Sequence, residues 1–238
     1  MPGLGTIINT AAIVVGGLLG LLFKNLLTKS MEDTLLKASS VCVLFIGIGG
    51  AMQHMLKITD GALETSGSMM LIICFVLGSI VGELLDIEGA FERFGAWLRK
   101  KTHNESDTSF LSAFIHASLT VCIGAMAIVG SIQDGLLGDS SLLCAKAALD
   151  AVIILVMTAS MGKGCIFSAI PVALLQGGVT LLSRVLAPVF TEAAIANLSY
   201  TGSVMIFCVG LNLVWGKKIK VANLLPTLVF AVIYALVF

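Results

Sequence analysis

The chain alternates long apolar segments with short polar connections. A helix needs about 20 mostly apolar residues to cross the hydrocarbon core of a bilayer. Eight segments meet this requirement: 5–23, 37–56, 67–85, 110–130, 141–160, 165–186, 199–215 and 221–238. The pattern therefore predicts an all-α polytopic membrane protein with eight transmembrane helices, spans 1 to 8, in a single transmembrane domain.

A different pattern follows span 3. Between Asp86 and Lys101 apolar residues recur at helical spacing, and most charged residues lie off that stripe. A helix of this kind lies in the plane of the membrane surface with its apolar face buried. We expect an interfacial helix over 86–101 on the cytoplasmic side, with Trp97 at the depth of the lipid headgroups and a flexible polar loop at 102–108.

Basic residues are distributed unevenly between the predicted loops. If both termini lie outside the cytoplasm, eleven of the fourteen Lys and Arg residues fall on the cytoplasmic side, and Lys57, Lys146 and Arg184 fall on the other. Positively charged loops remain in the cytoplasm. The asymmetry therefore predicts extracytoplasmic termini, and an odd number of spans would scramble it.

Composition excludes several classes of protein. Charged residues make up 12% of the chain, whereas a soluble domain carries about 25%. The formal net charge of +0 leaves no basic surplus for a nucleic acid, and the two Tyr and two Trp are too few for the aromatic girdles of a β-barrel. No P-loop, HExxH, GxSxG or Rossmann glycine motif is present, so we expect neither an enzyme nor a cofactor.

Two parts of the chain resemble each other at an offset of 160 or 161 residues. Spans 1–3, about residues 5–85, resemble spans 6–8, about 165–238, and the central helices at 110–160 lie between them. Because five spans separate the starts of the copies, the copies enter the membrane from opposite sides, as in the inverted repeats of many secondary transporters. The matching pairs are Gly16 and Gly177, Lys24 and Arg184, Glu32 and Glu192, and Gly49 and Gly210.

Span 4 ends in a run of glycines and polar residues. Glycine permits irregular backbone, which at membrane depth is tolerated where it lines protein or water. We therefore predict a helix break there, with carboxylate and amide oxygens open to a cation; the alternative is an ordinary outer loop with an Asp-Gly turn. The residues concerned are Gly130, Ser131, Gln133, Asp134, Gly135 and Asp139.

Span 5 carries Lys146 and Asp150, which are four residues apart and therefore share one helix face. Asp150 is the carboxylate deepest in the predicted membrane, where ionisable side chains are costly and face the interior of a bundle. Two interpretations remain open: a structural ion pair, or a site that binds or exchanges H⁺ or Na⁺ together with Asp134.

Span 6 contains a second candidate break. Pro171 removes a backbone donor and bends a helix, and Gln176 is followed by Gly177 and Gly178. We predict a discontinuous helix whose free amides and carbonyls face a solute; a simple kink is the alternative.

Several segments carry a resemblance to a known family: GTIIN, GELLDIEGAFERFGAWL, CIGAMAIVGSIQDGLLGD, AKAALD, FSAIPVALLQGG and GLNLVWGKKIKVANLLP. In order and over nearly the whole chain, they resemble a prokaryotic membrane family known as domain of unknown function 554 (YqgA-like). The resemblance implies an inner-membrane protein, at most a candidate transporter, with no settled substrate. It also implies characteristic polar sites at Asn9, Asp134, Asp139, Lys146, Asp150, Gln176 and Asn212.

The leading hypothesis is a secondary transporter of a small polar solute, coupled to H⁺ or Na⁺ and working by alternating access. Asp134 and Asp150 would hold the cation, and Gln176 would contact the solute with the isolated amides Asn9 and Asn212. Each of these amides has an alternative role in joining helices. We expect a homodimer in the prokaryotic inner membrane. The alternative functions are a channel and a membrane scaffold or sensor.

Overall fold

The computed structural model of the protein describes residues 2–24, 28–59, 61–104, 107–123 and 125–237. The fold is helical, as predicted, apart from one hairpin of two antiparallel strands, β1 (Leu56–Thr59) and β2 (Ala62–Thr65). Short 3-10 helices at Lys163–Ser168 and Val221–Leu224 precede α8 and α11. The helices are α1 (Leu4–Lys24), α2 (Lys29–Met55), α3 (Ser68–Leu85), α4 (Ile87–Lys101), α5 (Phe110–Cys122), α6 (Ala125–Leu137), α7 (Ser141–Met161), α8 (Ala169–Leu181), α9 (Ser183–Leu186), α10 (Glu192–Trp215) and α11 (Pro226–Val237).

Six helices in the described part of the chain are long and apolar enough to cross a membrane: α1, α2, α3, α7, α10 and the segment Lys163–Leu181, which ends with α8. Helices α5 and α6 pass the same test together but meet at a bend of 61°, as in a broken span or a re-entrant loop. The last apolar segment, Val221–Val237, is shorter. Length and composition therefore support six or seven crossings, where the sequence predicts eight.

Glycines bring α1 and α7 into backbone contact. Gly16 and Gly20 of α1 lie directly against the carbonyl groups of Ala151 and Leu155 in α7. The two pairs follow the same order along both helices, so α1 and α7 run parallel. Small residues allow this close approach, which provides packing contacts between helices in a bilayer.

The α2–α10 and α3–α11 pairs are antiparallel, and glycines allow close approach in these pairs as well. Gly47 and Gly50 of α2 face Phe207 and Ser203 of α10 in reversed order. Gly82 of α3 lies against the 3-10 helix that leads into α11. These close pairs set the framework into which the remaining helices fit.

Helix α5 lies at the centre of the packing. The side chains of Phe110 and Phe114 are fully buried. The 3-10 helix before α8 packs on α5 where Gly164 touches the carbonyl of Phe110, and the thiol of Cys165 donates to the carbonyl of Ala113 at 3.6 Å. Helix α5 is also the first helix of the bent α5–α6 pair.

The helix predicted over 86–101 is present as α4. Its first turn is capped by Asp86, whose Oδ1 accepts from the amide of Gly89 at 3.2 Å. Phe91 and Phe94 pack on the core, and Trp97 is 51% exposed. The amphipathic pattern is confirmed, and the location of α4 at the cytoplasmic interface stays a prediction.

The hairpin between α2 and α3 has no counterpart in the predicted elements. In its sequence, LKITDGALET, the first strand alternates apolar and polar residues and is followed by Asp-Gly, a dipeptide typical of hairpin turns. Gly61 has a φ of 81°, a conformation that glycine adopts without strain. The predicted polar loop at 102–108 lies partly outside the described residues.

The helix break in span 4 lies elsewhere than predicted. Helix α6 runs without interruption through Gly130 and Gly135, which allow close approach to Leu143 and to the carbonyl of Thr180. The chain leaves the helical conformation at Ile123, which is extended with φ −80° and ψ 121°. These two glycines therefore serve packing between helices.

The predicted discontinuity at Gln176 to Gly178 is also wrong, because α8 is a continuous α-helix there. Pro171 is the third residue of α8, in the first turn, where a backbone N–H has no partner within the helix and its loss costs nothing. The irregular backbone of this span is the 3-10 helix at Lys163–Ser168, which precedes the proline.

Candidate functional site

A buried ion pair joins α7 to α1. Asp150 and Lys146 lie one turn apart in α7, with 2.5 Å between the Lys146 Nζ and the Asp150 Oδ2. The same oxygen accepts a hydrogen bond from the Nδ2 of Asn9 in α1 at 3.0 Å. The side chains of Lys146 and Asp150 are 8% and 5% exposed. The ion pair predicted from the spacing is therefore present, and it is enclosed by protein.

Lys146 also reaches the bend between α5 and α6. Its ammonium donates to the carbonyl of Val121 at 2.8 Å. Helix α5 ends at Cys122, so the carbonyls of its last turn lack partners within the helix. The Lys146 ammonium thus binds both the carboxylate of Asp150 and the carbonyl of Val121, which has no partner within α5.

A second carboxylate, Asp134 in α6, contacts the start of α1. Its Oδ2 accepts from the backbone amide of Gly5 at 3.0 Å, and the side chain is fully buried. A carboxylate beside the first turn of a helix is stabilised by the free amides and by the helix dipole. Because Gly5 and Asn9 are one turn apart, Asp134 and Asp150 contact successive turns of one face of α1.

Gln176 belongs to α8, which packs against α1. It is fully buried, and among the described residues neither its Oε1 nor its Nε2 has a hydrogen-bond partner. Thr180, one turn further along α8, places its Oγ1 3.4 Å from that of Thr6 in α1. Because α8 runs antiparallel to α1, Gln176 lies at about the depth of Asn9, whose Oδ1 also lacks a partner within the described chain.

These contacts define a buried polar layer around α1. Leaving a buried polar atom unpaired costs about 1–3 kcal/mol, so the unpaired atoms of Asn9 and Gln176 make this region the candidate site. One oxygen of Asp134 is unpaired in the same way within the described residues. The polar layer consists of Asn9, Asp134, Lys146, Asp150 and Gln176.

The remaining predicted residues on α6 lie at its margin. Ser131 is buried and donates to the carbonyl of Ala127 in its own helix at 2.6 Å, and Gln133 is half-buried. Asp139 is exposed in the connection to α7, where its Oδ1 accepts from the hydroxyl and amide of Ser141. These hydrogen bonds hold the pKa of Asp139 below its usual value. Asp139 thus caps α7, away from the polar layer.

Asn212 belongs to a different part of the molecule. Its Oδ1 accepts from the amides of Lys218 and Ile219, both at 3.0 Å, and its Nδ2 donates to the carbonyl of Ile219 at 2.7 Å. The side chain therefore closes the turn that follows α10. Asn212 and Gln176 were predicted to contact one solute, but the hydrogen bonds of the Asn212 side chain are all with this turn.

A cluster of acidic residues that is not among the predicted site residues joins α4 to the turn after α10. Glu88 is 5% exposed, and its Oε2 accepts from the amide of Ala222 at 3.0 Å. Its own amide donates to Asn223 at 2.7 Å, and Lys217 lies 3.1 Å from its Oε1. The sequence feature that could have predicted this contact is the basic run at 217–220, whose charge is opposite to that of the acidic residues around 83–92.

The charges in this cluster stabilise each other. Burial lowers the pKa of Lys217, but its hydrogen bonds with Glu92 and Glu88 more than offset this effect, and the net pKa is raised. The guanidinium of Arg93 beside Asp86 holds the pKa of that carboxyl below its usual value. Both shifts favour the charged forms of Lys217 and Asp86.

Two cavities open at opposite ends of the bundle. One, of about 190 Å³, lies beside the last part of α10 and includes His116, Glu88 and Lys217 in its lining. The other, of about 220 Å³, lies beside the first part of α10 and includes His54 and Tyr200. No residue of the polar layer lines either cavity.

Comparison with known proteins gives a family without an assigned activity. The family described as a protein of unknown function (DUF554) matches residues 4–236. The chain is 26% identical over 224 residues to the uncharacterized membrane protein YdfK of Bacillus subtilis (strain 168), covering 94% of this chain and 92% of the relative. It is 24% identical over 232 residues to the uncharacterized protein YqgA of Escherichia coli (strain K12), covering 96% and 94%. No solved structure matches the chain.

Proposed function

The chain belongs to the family of proteins of unknown function DUF554, and we propose that it is a secondary transporter of a small polar solute coupled to H⁺ or Na⁺. One observation carries this proposal. Asp150 is enclosed between α1 and α7, and the lysine that neutralises it also holds the carbonyl at a helix break. Ionisable groups inside a membrane bundle mark ion pathways and coupling sites, and a buried ion pair is weak evidence for stability.

The proposed coupling step is an exchange at Asp150. The Lys146 ammonium lies beside the carboxylate where a coupling cation would bind. A proton or Na⁺ that binds Asp150 releases Lys146, and the carbonyl of Val121 then loses its donor. The angle between α5 and α6 changes as a result. Ion binding is in this way linked to the shape of the bundle.

The solute site lies in the polar layer. Gln176 offers one donor group and one acceptor, and Asn9 offers a free oxygen, all at about one depth. A neutral or zwitterionic solute with matching groups would remove the cost of these unpaired atoms. Na⁺, where it is the coupling ion, would take oxygen ligands from Asp150 and Asp134.

Helix contacts support the proposed inverted repeat. Gly47 of α2 packs on Phe207 of α10, 160 residues further along the chain. Shifting the contact between Gly50 and Ser203 by the same 160 residues gives the contact between Gly210 and Leu44, to within one residue. A two-fold axis in the membrane plane produces this exchange, because it pairs each helix with an antiparallel copy of itself.

Helix directions support a crossing by the bent α5–α6 pair, which the arrangement with eight spans requires. Helix α7 runs parallel to α1, and α8 runs antiparallel to it, as spans 5 and 6 must relative to span 1. Basic residues also collect at one end: Lys24 lies beside Gly162, next to Lys163, and Lys217 pairs with α4. The positive-inside rule makes this end cytoplasmic. The homodimer stays a prediction.

A channel would need a continuous polar path. The two cavities open at opposite ends and share no lining residue, and in the polar layer Lys146 and Asp150 are already paired with each other. This arrangement favours alternating access, in which the site opens to one side at a time, over a channel.

Ion exchange in proteoliposomes tests the proposal without knowledge of the solute. We expect ²²Na⁺ counterflow, or proton uptake reported by an internal pH dye, in vesicles that contain the protein. The rate should fall by at least about tenfold in Asp150→Asn, because the site loses its charge. Asp33→Asn is the matched control, since Asp33 forms an exposed ion pair with Lys37. Full exchange of either ion in Asp150→Asn would overturn the assignment.

A further inference from the structure

The cavity of about 190 Å³ beside the end of α10 has a lining of mixed character. Apolar side chains, among them Leu119 and Val209, form most of its walls. Its charged and imidazole groups are His116 on α5, Glu88 and Glu92 on α4, and Lys217 after α10, and Ser112 and Asn212 also line it. An apolar cavity with a few convergent polar groups is the usual form of a site for a small molecule.

His116 presents an unused acceptor to this cavity. The side chain is 8% exposed, and its Nδ1 lies 2.8 Å from the backbone carbonyl of Ser112. Because a carbonyl only accepts, Nδ1 carries the proton, and in the neutral ring Nε2 is an acceptor. Within the described residues Nε2 has no hydrogen-bond partner. A ligand with an N–H or O–H group matches this atom.

The charges around the cavity do not cancel. Glu88 and Glu92 both pair with the ammonium of Lys217, so two carboxylates face one cation. The Oε2 of Glu88 is engaged by the amide of Ala222, whereas Glu92 is half-exposed and meets Lys217 through its Oε1. The surplus of one negative charge favours a monovalent cation and disfavours an anion.

We infer that this cavity binds a small primary alkylammonium ion. The ammonium would donate to His116 Nε2 and to Glu92, and the alkyl chain would pack on Leu119 and Val209. A cavity of about 150 Å³ accommodates benzene, so a ligand of roughly five to seven non-hydrogen atoms fits here. The same chemistry occurs in free amines and in the headgroup of an ethanolamine lipid. Asp150 and Gln176 do not line the cavity, so this inference is independent of the transport proposal.

Histidine resonances provide a direct test. The protein, labelled with ¹⁵N-histidine, is placed in nanodiscs of phosphatidylcholine and phosphatidylglycerol and titrated with n-butylammonium. We expect a saturable shift of the His116 Nε2 signal in the wild type. Isothermal titration calorimetry, which needs no histidine signal, should show loss of binding in His116→Phe and about tenfold weaker binding in Glu92→Gln. Glu64→Gln, at the exposed hairpin, is the matched control and should bind as the wild type does.

Ligand analogues separate the contributions of charge, donor and apolar chain. Butyrate should leave the signal unchanged, and tetramethylammonium, which has no N–H, should not shift it. The alcohol n-butanol has a donor but no charge, so it should bind much more weakly than n-butylammonium. Weaker apparent binding in nanodiscs that contain phosphatidylethanolamine would identify the lipid headgroup as a competing source of the same ammonium. Equal shifts with n-butanol, or unaltered affinity in both His116→Phe and Glu92→Gln, would overturn the inference. Because Glu92 is only half-buried, its variant tests the site even if His116→Phe fails to fold.

Discussion

Asp150 and Glu88 are both buried carboxylates beside a lysine, but their surroundings differ. Glu88 lies in a cluster where both of its carboxylate oxygens have partners and its own amide is also bonded. Asp150 lies in a layer where Asn9 and Gln176 keep unpaired polar atoms within the described chain. A set of polar groups that satisfies itself holds helices together. A set that leaves atoms unpaired carries an energetic cost, which a ligand relieves.

The largest expected effect comes from removing the cation beside Asp150. Lys146→Met leaves a buried carboxylate without its partner and removes the donor to Val121, so we expect a loss of about 4 kcal/mol in the free energy of unfolding. Unfolding in mixed micelles, followed by circular dichroism as SDS is added, measures this change.

The double variant Lys146→Met with Asp150→Asn is the control. It removes both charges, so most of the loss should be regained, to within about 1–2 kcal/mol of the wild type. If the double variant is as unstable as Lys146→Met alone, the cost arises from packing, and the ion pair is not the feature that distinguishes the polar layer.

The sequence predicts this ion pair because helical spacing alone places Lys146 and Asp150 on one face. The helices and the amphipathic α4 follow in the same way from local periodicity. The break at Ile123 could not be predicted so, because it depends on a lysine 23 residues further along that caps the freed carbonyl. The burial of Glu88 depends on an amide in the segment after α10, and no local pattern reports such a contact.

The next largest effects on the free energy of unfolding concern Asn212 and Gln176, two buried amides that were predicted to have the same role. Asn212→Leu removes three hydrogen bonds to the turn after α10 and should destabilise the protein by about 3 kcal/mol. Gln176→Leu removes two unpaired atoms and should stabilise it by about 1–2 kcal/mol. The same unfolding assay gives both values.

The opposite signs of these two stability changes test whether the polar layer differs from the self-satisfied hydrogen-bonded groups elsewhere. Gln176→Leu should also lose solute-linked activity while it gains stability, as expected when a functional site is replaced by a packed core. A clear loss of stability in Gln176→Leu would mean that its amide has structural partners and that the polar layer satisfies itself as the Glu88 cluster does.

The smallest expected effect concerns Asp139, an exposed carboxylate with all its described partners in one cap. The hydroxyl and amide of Ser141 hold its pKa below the usual value, so its contribution to stability is present above the unperturbed pKa of about 3.9 and is lost as pH falls through the lower, folded value. Asp139→Ala should therefore unfold at a slightly lower temperature than the wild type at pH 7, and the difference should shrink toward pH 3. Asp139→Asn keeps an acceptor for Ser141 without titrating, so its own difference from Asp139→Ala should stay constant with pH. A wild-type advantage over Asp139→Ala that is the same at pH 7 and pH 3 would show that the carboxylate charge contributes nothing to this cap.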